Sequence, residues 1–293
     1  MKLSKKFGVV AVAIGLIVGL APAAQAASLS GAGASFPQLL IEACKVPFNK
    51  KTGHSLTYGG GGSGAGKTAS DNQTGDVWFS DSPHTATSAR PTILHIPAVA
   101  APIAVLHNLT SNNQLYLSPT TVAKIFSGEI TRWNDPAIAK DNNRKVSSVI
   151  YRKDANGDVK KNKKGQPIVV RTVSRNVRYT LPNQKIKVIF RADKSGTSNN
   201  FTKWLRGVNP TLWTKPSNDF FATSFPGNIN APGNIGRIVG ANFSAGVSQL
   251  AAATKYSITY AEASYGEKYG LKTAAIGNAS GNFVLPTATA TGA

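Results

Sequence analysis

The sequence is poor in the residues that most enzymes outside the cell rely on. It holds one cysteine, Cys44, four histidines, and 13 acidic residues against 33 basic ones. One cysteine excludes an intrachain disulfide, and a chain of this length can bury a sizeable core without one. Cys44 lies in the apolar-periodic stretch Leu39-Leu40-Ile41-Glu42-Ala43-Cys44 and is expected to be a small buried hydrophobe. His54, His84, His95 and His107 show no zinc-ligand spacing of the H-E-x-x-H kind. His107, in an apolar context, reads as a structural histidine. Ser63 is not the nucleophile of a G-x-S-x-G elbow, because position 65 is Ala. Internal repeats are absent.

Long apolar runs are also lacking. The longest, Phe7 to Leu20, falls short of the roughly 20 residues needed to cross a bilayer. It follows a basic start (Lys2, Lys5, Lys6) and precedes Ala24-Gln25-Ala26, which is the layout of a secretory signal peptide cleaved after Ala26. No cysteine stands near that boundary to accept a lipid, so the expected location is secreted or extracytoplasmic. The formal charge is +20, much of it local: residues 141–190 hold 13 Lys or Arg and 3 Asp. Such an excess attracts anions or acidic surfaces without choosing among them.

What is present alternates between strand and helix signals, the pattern of an α/β protein. The spacing predicts a strand over 28–37 entering a loop, a helix over 38–51 stopping near Gly53, strands over 55–58 and 76–80, and a helix over 67–72. A helix over 120–126, capped by Ser118 or a neighbouring Thr, follows. Residues 146–152 and 167–173 alternate as a hairpin, with Asn156-Gly157 and Lys164-Gly165 as turn dipeptides. Beyond them come a buried strand over 185–190, a helix over 197–205, a strand over 257–260, and helices over 246–253 and 261–269. The end, 286–293, is low in complexity and expected to be disordered.

Three loops share one character: each follows a strand, is rich in Gly, Ser or Thr, and precedes a helix. Such a loop aims backbone N–H groups and a positive helix end at one place and suits an anion. The first is Gly31-Ala32-Gly33-Ala34-Ser35-Phe36-Pro37. The second, Gly61 to Thr68, matches the pattern G-x-x-x-x-G-K-S/T at every fixed position. A nucleotide site of that kind also needs a metal-binding strand ending in Asp, and Val77-Trp78-Phe79-Ser80-Asp81 fits it poorly, which leaves the weaker reading of an anion loop. The third is Arg191-Ala192-Asp193-Lys194-Ser195-Gly196-Thr197, where Arg191 offers a planar fork for an oxyanion and Asp193 stands ready to hold it.

Five blocks carry a resemblance. Gly31-Ala-Gly-Ala-Ser-Phe-Pro37, Gly62-Ser-Gly64, Asp76-Val-Trp-Phe-Ser-Asp-Ser-Pro83, Ile125-Phe-Ser-Gly-Glu-Ile-Thr-Arg-Trp-Asn-Asp-Pro136 and Arg191-Ala-Asp-Lys-Ser-Gly-Thr197 occur in the order seen in periplasmic phosphate-binding proteins. The chain is similar to the substrate-binding component of the bacterial phosphate ABC transporter, from about Gly31 to Leu205 and more loosely through Glu262. The resemblance implies a two-lobed α/β fold of the periplasmic-binding-protein type II class, with lobe one over 27–104 and lobe two over 105–285. The basic hairpin near 144–175 is an insertion in lobe two. Family members continue well past the point matching Ala293, so a first lobe incomplete at its C-terminus is also expected.

By the same resemblance, phosphate would be held between the lobes by backbone amides of Ala34, Ser35 and Phe36, and by the hydroxyls of Ser35 and Ser63. Asp81 would supply a carboxylate, and Arg191, Ser195, Gly196 and Thr197 would close the cage, with Asp193 orienting Arg191. No catalysis, cofactor or metal is implied. The partners implied are inorganic phosphate and a membrane permease, with a monomeric receptor and no nucleic acid. Two other readings compete: a secreted basic surface protein that binds polyanions or adhesion partners, and an extracellular hydrolase.

Overall fold

A computed structural model describes residues 26–84 and 92–287. The expected leader over 1–26, apart from Ala26, and the expected disordered tail from 288 on lie outside the described residues.

The N-terminal unit is a βαβαβ array of β1 (Ser28–Gly33), α1 (Gln38–Thr52), β2 (Ser55–Gly61), α2 (Gly62–Asp71) and β3 (Val77–Phe79). Its strands lie in the order β2-β1-β3, all parallel, as helical crossovers require. α1 stops where Gly53 turns into the left-handed region at φ 75° and donates its N–H to the Asn49 carbonyl.

Cys44 is exposed, against expectation. The inward stripe of α1 is Ile41 with half-buried Lys45 and Phe48, and among the described residues none covers the side where Leu40, Cys44 and Val46 are exposed. After β3 and the undescribed residues 85–91, residues 92–102 run without regular structure. Pro97 and Pro102 have no N–H for a ladder, and Leu94 and Ile96 are exposed.

The rest of the chain builds the larger unit. Its elements are β4 (Ile103–His107), β5 (Tyr116–Leu117), α3 (Pro119–Phe126), α4 (Pro136–Asn142), β6 (Arg144–Tyr151), β7 (Val169–Val177), β8 (Lys187–Arg191), α5 (Gly196–Val208) and α6 (Phe221–Ser224). They continue with β9 (Ile238–Ala241), α7 (Phe243–Ala253), β10 (Ser257–Glu262), α8 (Ala263–Tyr269), β11 (Lys272–Thr273), β12 (Ala275–Gly277) and β13 (Phe283–Val284).

A five-stranded sheet, β11-β4-β10-β8-β9, forms the centre, with β9, β8 and β10 parallel and β4 and β11 antiparallel to their neighbours. All six residues of β10 are buried, so both its faces carry core. On one face Val105, Val188 and Tyr260 pack with Phe126, Phe201, Trp213 and Phe221. On the other, Ala104, Leu106, Ile189 and Ala261 meet Val247, Ala251 and Tyr265 of α7 and α8. A small sheet, β13-β12-β5, flanks it.

Ser118 caps α3, accepting the Thr121 N–H as the sequence suggested. The helix expected from Ala261 starts two residues later, because Ala261 and Glu262 still pair with Ala104 and Ile103 as the end of β10. His107 is buried edge-on to Trp133, and burial, with Lys272 adding to it, lowers its pKa to about 3. The basic segment is a hairpin: β6 and β7 pair antiparallel with each other in a two-stranded sheet, and Gly157 and Gly165 turn its tip at positive φ.

Candidate functional site

Four strands end at one place, each handing the chain to a helix. β1 leads through Ala34–Pro37 into α1, β2 directly into α2, β8 through Ala192–Ser195 into α5, and β9 through Asn242 into α7. The C-terminal ends of parallel strands are where open α/β sheets build sites. Each helix start brings orphan N–H groups and a partial positive charge. Pro37 and Gly61 provide no side-chain cap for α1 and α2, whereas Ser195 caps α5 by accepting the Ser198 N–H. The Gly-rich stretch is therefore less a loop than expected: Gly62, Ser63 and Gly64 already form the first turn of α2.

Arg191, at the end of β8, is almost fully buried. Its Nε donates to Asp193 Oδ1 at 2.7 Å and its Nη2 to Asp193 Oδ2 at 2.6 Å, so Asp193 holds Arg191 as their spacing suggested and takes up the planar fork expected for an oxyanion. Nη1 donates to Ser244 Oγ at 3.0 Å. Ser244, in the first turn of α7, also meets Ser35, whose Oγ lies 3.1 Å from Ser244 Oγ and accepts the Ser244 N–H at 3.0 Å. Asp193 Oδ1 further accepts the N–H of Phe243, which is held at φ 65°. A bulky residue in the left-handed region is strained, and that backbone aims the α7 amides at Asp193 and Ser35.

Ser63 and Asp81, from the N-terminal unit, meet Gly196 and Thr197 from the larger one. Ser63 Oγ accepts N–H groups from Gly196 at 3.0 Å and Asp81 at 3.2 Å, and donates to Asp81 Oδ1 at 3.3 Å. Thr197 Oγ1 is 2.7 Å from Asp81 Oδ2 and 3.1 Å from Glu262 Oε1. Gly196 is a close approach that no other residue could make. A Cβ there would stand 2.5 Å from Ser82 N, 2.7 Å from the Asp81 carbonyl carbon and 2.8 Å from Ser63 Oγ.

Of the residues singled out in the sequence, Ser35, Arg191 and Asp193 share one hydrogen-bonded cluster through Ser244, and Ser63, Asp81, Gly196 and Thr197 share a second that reaches Glu262. Ser195 donates its N–H to the Asp219 carbonyl while its hydroxyl caps α5. Phe36 sits in the turn before α1. The Ala34 amide donates to the Phe79 carbonyl at 2.9 Å, and the Ala34 carbonyl accepts from Tyr58 Oη at 2.6 Å.

Lys67, the lysine of the G-x-x-x-x-G-K-S/T match, bridges the two units at the edge of this neighbourhood. Its Nζ lies 2.8 Å from Asp219 Oδ2 and 2.7 Å from Ser82 Oγ.

Sequence reasoning missed three participants. Ser244 was hidden because the α7 helix was read from Gly246, although strand, Asn242 and Ser244 form a readable helix start. Glu262 was detectable as the only charged residue on the strand Ser257–Glu262. Asp219, which ties Lys67, Asn199 and the Ser195 amide together, has no local signal.

The electrostatics are tense. Burial raises the pKa of Asp81, and Thr197, Arg191 and Ser63 pull against it. Burial likewise raises the pKa of Glu262, whose Oε2 has no hydrogen-bond partner among the described residues. Burial opposes the Arg191 charge, and the Asp193 hydrogen bonds together with the nearby charges of Asp193 and Glu262 outweigh it. Chemically, the arrangement is a set of donors aimed inward around one guanidinium, with a carboxylate among them.

Residues 20–293 match the family model described as a PBP superfamily domain. The phosphate-binding protein PstS of Pasteurella multocida is 31% identical over 268 residues, covering 90% of this chain and 64% of its own length. That of Haemophilus influenzae is 30% identical, covering 93% of this chain and 69% of its own. The chain spans 64% and 69% of these two relatives' length, and only about half that of the mycobacterial phosphate-binding proteins it also matches. Among solved structures, a high-affinity periplasmic phosphate-binding protein, PfluDING, shares the fold. It aligns with a TM-score of 0.60 and 24% identity, over 89% of this chain and 66% of the other. The chain belongs to the PstS family of phosphate-binding proteins, within the PBP superfamily.

Proposed function

We propose that the protein binds inorganic phosphate outside the cytoplasm and presents it to the permease of an ABC importer, as a monomeric receptor with no catalytic step. The observation that carries this reading is the meeting of the two units at Asp81, where Thr197 and Ser63 bond its carboxylate, Ser63 also takes the Gly196 amide, and the Arg191 charge bears on it. Residues 27–104 and 105–285 then act as the two lobes.

In this reading the tetrahedral anion takes N–H donors from the Ser35–Phe36 turn and from the first turn of α5 at Gly196 and Thr197. Hydroxyls come from Ser35, Ser63, Ser195 and Thr197, and the guanidinium from Arg191, held by Asp193. Ala34 shapes the turn, its own amide being occupied by Phe79. Such helix-start sites suit phosphate.

Asp81 supplies selectivity. Monohydrogen and dihydrogen phosphate carry a proton to donate to an acceptor-only carboxylate, whereas sulfate at neutral pH has none. Facing sulfate, the half-buried Asp81 carboxylate would meet bare anionic oxygens with no proton to accept, which costs roughly 1–3 kcal/mol, or about fivefold to a hundredfold in affinity. The discrimination thus rests on a repulsive element.

Calorimetric titration of wild type and Asp81→Asn with phosphate and with sulfate tests this. Wild type is expected to bind phosphate one-to-one and ignore sulfate, and Asp81→Asn to gain sulfate binding. Folded wild-type protein that takes up no phosphate would refute the receptor reading. Sulfate exclusion surviving in Asp81→Asn would remove Asp81 from the selectivity role alone.

A further inference from the structure

The β6–β7 hairpin plays no part in the phosphate reading. It is a ribbon of eight paired positions, Arg144 with Val177 through Tyr151 with Val169, lengthened by bridges between Lys153 and Val159 and between Lys161 and Pro167. At about 3.3 Å per residue, a strand of this length reaches roughly 26 Å. It forms a sheet of its own.

Its composition suits neither folding nor plain solubility. Residues 144–178 contain eleven Lys or Arg and two Asp. One of those acids is engaged locally, Asp154 Oδ1 accepting the N–H groups of Asn156 and Asp158 in the tip turn. Among the described residues no ion pair balances the cations of this segment. Between them stand Val149, Ile150, Tyr151, Val159, Val169, Val170 and Val173, all 39–56% exposed. A lone two-stranded hairpin is marginal in water, and these apolar side chains contribute nothing to the core while uncovered. Cations and exposed apolar groups on one projecting arm call for a partner that takes both.

We propose that the β6–β7 ribbon is a docking arm for the anionic surface of a phospholipid bilayer. The tip lysines Lys160, Lys161, Lys163 and Lys164 face the headgroups, and Tyr151, Val169 and Val170 enter the boundary between headgroups and acyl chains. Charge complementarity selects an anionic partner, and the uncovered apolar side chains select an interface with hydrocarbon beneath it. A nucleic acid fits less well, since base edges are read by polar side chains and unpaired bases stack on aromatics. Of the ribbon's exposed large side chains only Tyr151 is aromatic.

The exported, processed protein would be co-sedimented with vesicles of phosphatidylglycerol and phosphatidylcholine in equal parts, and with phosphatidylcholine alone, at 0.1 M salt. A double-stranded DNA oligonucleotide serves as a probe of charge without hydrocarbon. Two variants are compared: one with Lys160, Lys161, Lys163 and Lys164 all changed to Gln, and the double variant Val169→Ser, Val170→Ser. Circular dichroism and phosphate titration monitor their fold.

Wild type is expected on the anionic vesicles and not on phosphatidylcholine. Each cation near an anionic surface contributes about fivefold, so the lysine variant loses several hundredfold. The valine variant weakens vesicle binding and leaves any DNA binding unchanged. Failure to bind the anionic vesicles, DNA binding as tight as vesicle binding, or a valine variant that binds vesicles like wild type would each overturn the membrane assignment. None of these outcomes bears on phosphate binding, which the titration reads separately.

Discussion

Replacing Gly196 by Ala adds one methyl group and no charge, yet it strikes the junction between the two units. The new Cβ would lie 2.5 Å from Ser82 N and 2.7 Å from the Asp81 carbonyl carbon, both backbone atoms of the opposing loop. Carbon contacts of 3.5–4.0 Å are comfortable, so the loops must part by about 1 Å. That movement stretches the 3.0 Å bond from Gly196 N to Ser63 Oγ and the 2.7 Å bond from Thr197 Oγ1 to Asp81 Oδ2. A neutral hydrogen bond is worth about 0.5–1.5 kcal/mol and one to a charged group about 1.5–3 kcal/mol.

The expected loss for Gly196→Ala is therefore roughly 2–4 kcal/mol in any process that needs the junction closed. For phosphate that is about thirtyfold to several hundredfold in affinity. Helix propensity works the other way, since Ala favours α5, so the larger unit should stay folded. Isothermal titration with phosphate, paired with a urea unfolding curve, separates the two effects. Wild-type affinity in a folded Gly196→Ala variant would refute the argument that this contact closes the site.

Two further outcomes follow from the same junction. Lys67→Met removes the ion-pair partner of Asp219 and leaves it with Asn199 and Ser82, and removing one member of a buried pair costs roughly 3–5 kcal/mol. Urea unfolding should show that loss, and adding Asp219→Asn should recover part of it. Glu262 holds its proton more tightly folded than unfolded, so its contribution is complete below the ordinary carboxylate range and is lost as pH rises through its raised folded value. Glu262→Gln should then be more stable than wild type at neutral pH, by roughly 1–3 kcal/mol. The gap should shrink on acidification, and chemical denaturation across pH 4–8 would reveal an unchanging gap if the reading is wrong.

How much of this was legible in the sequence depends on distance along the chain. Local chemistry was readable. The Gly53 stop of α1, the Ser118 cap, the Asn156-Gly157 and Lys164-Gly165 turns and the Arg191–Asp193 spacing are all decided within a few residues. The alternation of strand and helix signals fixed the class of fold for the same reason, since hydrophobic period and caps are local properties.

What only the tertiary structure decided is which ends meet and which faces stay uncovered. Ser35 and Ser244 stand 209 positions apart, and Thr197 and Asp81 stand 116 apart. No periodicity encodes such pairs, because they arise where parallel strands from two sheets end together. Cys44 makes the converse point. Its neighbours have the spacing of a buried stripe, but burial needs something on the other side, and α1 packs against its sheet along Ile41 alone among its fully buried residues. Lys67 likewise matches a phosphate-loop pattern, and the fold places it against Asp219 and Ser82. Sequence supplies the donors, caps and periods, while the packing of strand ends decides which of them face one another.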